Sequence, residues 1–459
     1  MAARFVNIDH DTPLLFPPDL REWVPADHMV HFIMDAVAAL DLSAARINDR
    51  GTGSAQYPPS MMLALLIYSY STGIFSSRKI QTATYENVAT RYLCADTHPD
   101  HDSICKFRRE NKELLSSTFH QVLELAASAR VLKVGDLTVA IDGTKLLANA
   151  SKHSAMSHDR IAEQMQLATD QIAQLLAKAE DADSTPLQDG LTIPAEIQRR
   201  EDRLAKLKEA KAALEERAKI RFEEESAAHA AKLAARHEKE QSTGKKPSGK
   251  PPEPPVQGPG SKDQYNFTDP DSRIMKDKGS FNQCYNAQAA VDTATMLIVG
   301  QHLTDTPNDK QQLQPGLQAI SPAAGKISST LVDSGYYSEA AVTRVEAGGT
   351  GPTIYAAMHR QSHGRSIAQL EKQADPPAPP PGAPLAEIMA HRLATAGGKA
   401  LYRLRKQTVE PVFGIIKEVL GFRRFMLRGM EKASLEWTLV STAYNLKRIF
   451  GLGARLRPA

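Results

Sequence analysis

Three cysteines, Cys94, Cys105 and Cys284, are all that the 459 residues contain. They are too few and too scattered for a disulfide framework, and no C-x-x-C pair suggests zinc. The expectation is a reduced, cytoplasmic chain. A dominant charge is missing too: 56 Lys and Arg against 53 Asp and Glu leave a net +3. That excludes a histone-like polycation, so any nucleic-acid contact must come from local basic surface. Long apolar runs are absent. The longest, "MMLALLIY" at 61–68, falls far short of a bilayer span, so a soluble protein with no membrane partner is expected. The opening "MAARFVNIDHDTPLLFPPDL" has acids and prolines but no apolar core flanked by basic residues, and does not read as a signal peptide. No internal repeat is evident.

What is present is length and texture. The chain is too long for one typical domain and long enough for a large core. Residues 1–130 read as helical. Asp27 is expected to cap a segment whose Val30, Ile33, Val37 and Leu40 share a face. Pro58 and Pro59 open the next helix and Gly73 closes it. Two further short helices, 76–93 and 101–115, carry Arg78, Lys79, Lys106, Arg108 and Arg109. Two readings stand for that cluster: a helix-turn-helix-like DNA reader, or an ordinary solvated face.

The texture then changes. "LTVAIDGTK" (137–145) is a short β-rich run ending in Asp142-Gly143. From about 160 to 240, Ala, Glu, Lys, Arg and Gln dominate with apolar residues at helical spacing, which predicts a helical hairpin or coiled coil. The Pro-, Gly- and Lys-rich 242–262 predicts a mobile linker. Two alternating strands follow in 284–304, turning near Asp292, then a helix over 309–320. A strand in 326–337 ends at Asp333, a helix spans 338–348, and a last strand covers 352–358 before the helices of 386–450. With the long insertion removed, this order matches a ribonuclease-H-like mixed sheet, an α/β fold. In it the strands bearing Asp142 and Asp333 lie side by side.

Taken singly, Asp142-Gly143 and Asp333-Ser334-Gly335 are ordinary turn sequences, and Glu410 suits a helix cap. Together they occupy the ends of two neighbouring strands and the mouth of a helix packed on the sheet. Three gathered carboxylates repel one another and raise their own pKa values unless cations bridge them. Hard oxygen ligands suit Mg²⁺ or Mn²⁺. Two such ions ~3.5–4 Å apart can serve an in-line phosphoryl transfer. In "QTVEPVFGIIKEVLGFRR" (407–424), Pro411 is expected in the first helical turn, leaving Glu410 facing the sheet edge. Gly414, Lys417 and Gly421 then share its stripe, with the glycines either clearing space or permitting close packing. Val409, Val412, Phe413, Ile416 and Leu420 form the neighbouring apolar face. Beyond it, Arg423, Arg424 and Arg428 alternate with Phe422, Phe425 and Leu427, as a phosphate-gripping segment or a solvated edge. Asp269, Asp271, Asp305 and Asp309 sit in proline-containing loops and are set aside as turn and cap residues, with Asp305 the nearest substitute.

"VAIDGTK", "LVDSGYYSE", "RKQTVEPVFGIIKEVLGFRRFMLRG" and "EWTLVSTAYNLKRIF" resemble the DDE transposases of bacterial insertion sequences, closest to the group conventionally numbered eleven-eighty-two. "PADHMVHFIMDAV" through "HDSICKFRREN" resembles that group's helical N-terminal domain. The resemblance implies Mg²⁺-dependent (or Mn²⁺-dependent) cleavage at the element's ends and transfer of the freed 3′-hydroxyl into target DNA. Asp142, Asp333 and Glu410 match the metal-holding D, D and E. The partners implied are double-stranded DNA, both terminal inverted repeats and target, and a second copy of the chain in a synaptic homo-oligomer of at least two protomers. Lys417 matches the lysine of a tyrosine, arginine, glutamate and lysine signature. Tyr402 and Arg405 keep their mutual spacing but lie one residue further from Glu410 than that pattern asks, and Lys406 stands where the arginine is expected.

The expected organisation is a helical DNA-binding domain at 1–130, a catalytic domain at 131–160 and 263–459, a helical insertion at 161–241 and a linker at 242–262. Three rivals remain: a ribonuclease-H-like nuclease without strand transfer, a catalytically inactive transposase-derived DNA-binding protein, and a coiled-coil assembly protein.

Overall fold

The computed structural model describes residues 19, 22–48, 55–133, 135–182, 193–244, 249–277, 279–349, 351–358 and 374–454. Two compact units emerge, residues 1–148 with 284–459, and residues 149–283.

The first unit begins with helices α1 (Met29–Ala38), α2 (Pro59–Ser71), α3 (Ser77–Glu86), α4 (Val88–Leu93), α5 (His101–Glu110) and α6 (Lys112–Ser128). Local chemistry sets their ends. His28, rather than Asp27, caps α1 by accepting from the Val30 amide at 3.2 Å. Asp100 caps α5 by accepting from the Ser103 amide at 2.6 Å. Pro58 and Pro59 open α2, and Gly73 at φ +85° leaves it through the left-handed region. Every α2 residue from Met62 to Ser71 is buried.

Strand β1 (Leu137–Leu147) is the centre of the sheet. The second unit follows it with β2 (Ala155–Ser157), α7 (His158–Ala182), α8 (Ile193–Thr243), β3 (Gln264–Asn266) and β4 (Arg273–Asp277). The sheet resumes with β5 (Ser280–Asp292), β6 (Ile298–Thr304), helix α9 (Leu313–Gln318), β7 (Ile327–Val332), α10 (Glu339–Glu346) and β8 (Thr353–Ala356). Helices α11 (Leu385–Ala394), α12 (Ala396–Gly414) and α13 (Met430–Gly451) close the chain.

In the first unit the strand order is β6-β5-β1-β7-β8. β1 runs antiparallel to β5, from Val139 opposite Asp292 to Leu147 opposite Cys284, and β5 runs antiparallel to β6. On its other side β1 is parallel to β7, with Ala140 opposite Leu331, and β7 is parallel to β8. This is the ribonuclease-H-like mixed sheet, with the Asp142 and Asp333 strands adjacent. Val139, Ala140 and Ile141 are fully buried, as a central strand covered on two faces requires.

Helix α13 joins the N-terminal helices to the sheet: it packs on α2 and α6 on one side and β6 on the other. Its buried polar residues have strand partners, as buried polar groups must. Asn445 accepts from the Ile298 amide at 2.9 Å and donates to the Ile298 carbonyl at 2.8 Å. The Trp437 indole donates to the Gln288 carbonyl at 3.0 Å, and the Gln301 amide to Thr438 at 2.7 Å.

In the second unit α7 and α8 form an antiparallel hairpin: Arg200 donates to Gln171 and Arg203, further along, to Gln164, further back. Ile161, Leu207, Ala210, Leu214 and Tyr265 make its core. The Pro-rich stretch past residue 249, expected as a mobile linker, is held along α8. Arg236 donates to the Gly249 carbonyl at 2.7 Å, His229 meets the Pro252 carbonyl at 3.1 Å, and Arg221 reaches the Gly258 carbonyl. Arginine spacing on α8 thus gives partners to carbonyls that prolines leave without a ladder.

Candidate active site

Strand alternation decides where Asp142 points. Ile141 faces α9, where a Cβ on Gly316 would lie 3.2 Å from it. Asp142 faces the opposite side, toward α12. Its Oδ1 accepts from the Gly143 amide at 2.8 Å, and its Oδ2 accepts from Arg405 Nη1 of α12 at 3.0 Å. Arg405 Nη2 lies 3.5 Å from Glu410 Oε1 on the same helix. Asp333 follows β7 directly and makes an Asx turn, its Oδ1 accepting from the Gly335 amide at 2.7 Å. Tyr402, one turn before Arg405, donates its hydroxyl to the Val332 carbonyl beside Asp333 at 3.1 Å. Helix α12 therefore crosses the middle of β1, which runs on past Asp142 to Leu147 instead of ending there as expected, and the end of β7, and one guanidinium sits among the predicted acids.

The electrostatics agree with that placement. The Asp142 carboxyl is pushed up to about 6, chiefly by burial and also by Asp333 and Asp309, against the pull of Arg405 and the Gly143 amide. For Arg405, burial opposes the charge, yet Asp142, Tyr402, Asp333 and Glu410 together raise its pKa. Asp142 and Arg405 are mostly buried, while about half of the Glu410 side chain meets solvent. Among the described residues no three His, Cys, Asp or Glu side chains close into a metal cage. The donor chemistry nonetheless suits a hard cation: all oxygen, already facing a positive group, with Asp142 still raised despite it.

Glu410 is not at a helix mouth. α12 runs through Pro411 to Gly414 and passes into a π-helical turn at Ile415–Val419. Pro411 deprives one carbonyl of its helical partner, but the helix continues because Val409, Val412, Phe413, Ile416 and Leu420 are all buried. The Ile415 amide still donates back to the Pro411 carbonyl. The wide turn, closed by the Leu420 amide on the Ile415 carbonyl at 2.8 Å, is the irregularity that follows a proline. Gly414 and Gly421 clear no neighbour, since a Cβ on either meets nothing within 4 Å. Gly421, at φ +78°, ends the turn. Lys417 donates to the Lys145 carbonyl of β1 at 2.7 Å. Arg423 pairs with Glu418, and Arg423, Arg424 and Arg428 are exposed while Phe422 and Phe425 are fully buried.

One acid was set aside on sequence grounds and belongs here. Asp309 Oδ1 accepts from Asn286 at 2.8 Å and from Gln288 at 2.7 Å, on the face of the sheet below Gly143. The Tyr336 hydroxyl donates to Gln288, tying the Asp333 loop to the same network. The available signal was in β5: Asn286 and Gln288 are polar residues two apart within Cys284–Val291, a stretch of the strand that is otherwise apolar.

Family models match the chain in two places: the Transposase DDE domain over residues 253–446 and the Transposase domain (DUF772) over residues 18–110. The first span contains Asp333, Arg405, Glu410 and Lys417; Asp142 lies outside both. No curated protein and no solved structure matches.

Proposed function

Since the chain belongs to the DDE transposases of insertion sequences, we propose that Asp142, Asp333 and Glu410 are its catalytic triad and that it works on the terminal inverted repeats of its own element. The enzyme is a DNA transposase, and its family acts with divalent metal ions. The observation that carries the residue assignment is the single Arg405 guanidinium, bonded to Asp142, near Glu410 and raised in pKa by all three acids. Positive charge is stabilised at the point where all three act. The three carboxylates would hold Mg²⁺, with Mn²⁺ able to substitute. Such ions assist deprotonation of the attacking oxygen and stabilise charge on the leaving one.

The remaining residues position DNA. Cleavage breaks the phosphorus–3′-oxygen bond as water forms a new phosphorus–oxygen bond, leaving a 3′-hydroxyl. In joining, that hydroxyl attacks a target phosphodiester and the target's own 3′-oxygen leaves. No side chain needs to form a covalent intermediate, so positioning and charge stabilisation are the protein's contribution. Arg405, bonded to Asp142, and Lys417, held on β1 at the Lys145 carbonyl, bind phosphate at the reacting strand, and Tyr402 holds α12 against the end of β7. Arg423, Arg424 and Arg428 grip phosphates further along the duplex. Holding two element ends together calls for a homo-oligomer of at least two protomers.

The test is cleavage and joining with duplexes carrying the element's ends. Wild-type protein should nick them in Mg²⁺ and join precut ends to a target. D142N, D333N and E410Q should each lose about 10³-fold or more, the several kcal/mol that bound metal supplies, and should bind Mn²⁺ less well while still binding DNA. Full activity in any one variant removes that residue from the triad. Cutting without joining makes the protein a nuclease, and binding without cutting an inactive relative.

A further inference from the structure

The arginine-bearing segment Phe422–Arg428 has no helix of its own, so something else must fix its course. Its first half is tied to the strand that carries Asp142. The Leu147 amide donates to the Arg423 carbonyl at 3.1 Å, and the Phe425 amide to the Leu147 carbonyl at 2.9 Å. The second half is held by one side chain, Glu436 of α13. Its Oε2 accepts from the amides of Met426 at 2.8 Å and Leu427 at 3.0 Å. Its Oε1 accepts from the Tyr70 hydroxyl of α2 at 2.9 Å, and Arg108 Nη1 of α5 donates to that hydroxyl at 2.8 Å.

Glu436 is wholly buried and Arg108 nearly so. Burial pushes the Glu436 carboxyl up, and Arg108, the Leu427 amide, Tyr70 and the Met426 amide oppose that push. Packing alone gives no reason for this choice, since apolar residues of similar volume often replace buried charges without loss. What Leu or Met lacks is an acceptor for two successive amides. Those amides lie between Arg424 and Arg428, two arginines with exposed side chains.

We propose that Glu436 is a positioning residue that fixes Arg424 and Arg428 relative to the Asp142 strand, so that DNA-phosphate contacts and the acids share one rigid frame. This rests on the DNA reading of the segment given above. Through Tyr70 and Arg108 the same carboxylate ties that segment to the N-terminal helices.

The test is the salt dependence of duplex binding by the full chain, read by fluorescence anisotropy on an end-bearing duplex. Each lost phosphate contact lowers the slope of log K against log salt by about 0.9. R424Q and R428Q should each lower it by about that amount; wild-type slopes in both would sink the DNA reading of the segment and the proposal with it. E436M, which removes the acceptor, should lower the slope by about 1 to 2, with no further drop on adding R424Q. E436Q keeps a carbonyl for both amides and should keep the wild-type slope. Both Glu436 variants lose the counter-charge to Arg108, so a purely structural role lowers both melting points alike and moves neither slope. If E436M does not fold, R108M/E436M replaces both charges with apolar residues and answers the same question. Lowered slopes in R424Q and R428Q, with a wild-type slope in E436M or in that double variant, would overturn the positioning role alone.

Discussion

Replacing Gly143 by alanine places one methyl group directly behind Asp142. The new Cβ would overlap the Gln288 amide and lie 2.8 Å from Asn286 Oδ1 and 2.9 Å from Asp309 Oδ1. All three groups belong to the network that Tyr336 closes. Overpacking of this kind costs about 1–3 kcal/mol. Weakening the hydrogen bonds to Asp309 adds about 0.5–1.5 kcal/mol for each one lost. A destabilisation of about 2–4 kcal/mol follows for G143A, accompanied by reduced cleavage. Gly414 supplies the internal comparison: it lies in α12, and an added Cβ there would meet nothing within 4 Å. G414A should gain about 0.5–1 kcal/mol from helix propensity alone. Urea denaturation of the two variants, with the transition containing the first unit compared to wild type, measures both. A loss below about 0.5 kcal/mol in G143A, where overpacking predicts more, would show that the network is slack and does not brace the Asp142 strand.

Two further outcomes are expected. Burial lowers the pKa of His302 while Gln312 and Asp309 raise it less, so the folded chain favours the neutral ring. Its contribution to stability is complete above the ordinary histidine value of 6.5 and is lost as pH falls from there toward the lowered folded value. H302Q should therefore show a flatter stability profile below that pH in urea melts. Burial pushes the Cys94 thiol up to about 12. In the native chain a thiol reagent at mildly alkaline pH should label half-buried Cys105 and spare Cys94, as peptide mapping would reveal.

The sheet was legible from the order of its strands, although β1 runs on past Asp142 to Leu147, so only Asp333 stands at a strand end. Asp142 and Asp333 needed only element order. Glu410 was harder. A proline rule predicts a helix start at Pro411, but the chain upstream, "ALYRLRKQTV", is helical in its own right, and buried residues downstream outweigh the lost hydrogen bond. The glycines followed the same pattern: Gly421 is a left-handed terminator, which one sequence does not distinguish from a packing glycine. The course of residues 249–258 depends on arginines and a histidine from α8, so composition alone suggested mobility. Asp309 and Glu436 act through partners distant in sequence; the Tyr70–Glu436 bond spans 366 positions. Local patterns carry no trace of such pairs.

The antiparallel ladder between β1 and β5 begins at Leu147 and Cys284, with the whole of residues 149–283 between them. In chain-statistics terms, closing a gap of about 135 residues rather than a four-residue hairpin costs only about 3 kcal/mol more. Kinetically the difference is larger, because the central pairing becomes one of the most non-local contacts in the sheet. Early assembly should therefore favour the chain after Cys284, with the strand bearing Asp142 inserted between its neighbours last. The acid-bearing centre would then form only after the chain through α12 has been made, long after the Asp142 strand itself has been synthesised.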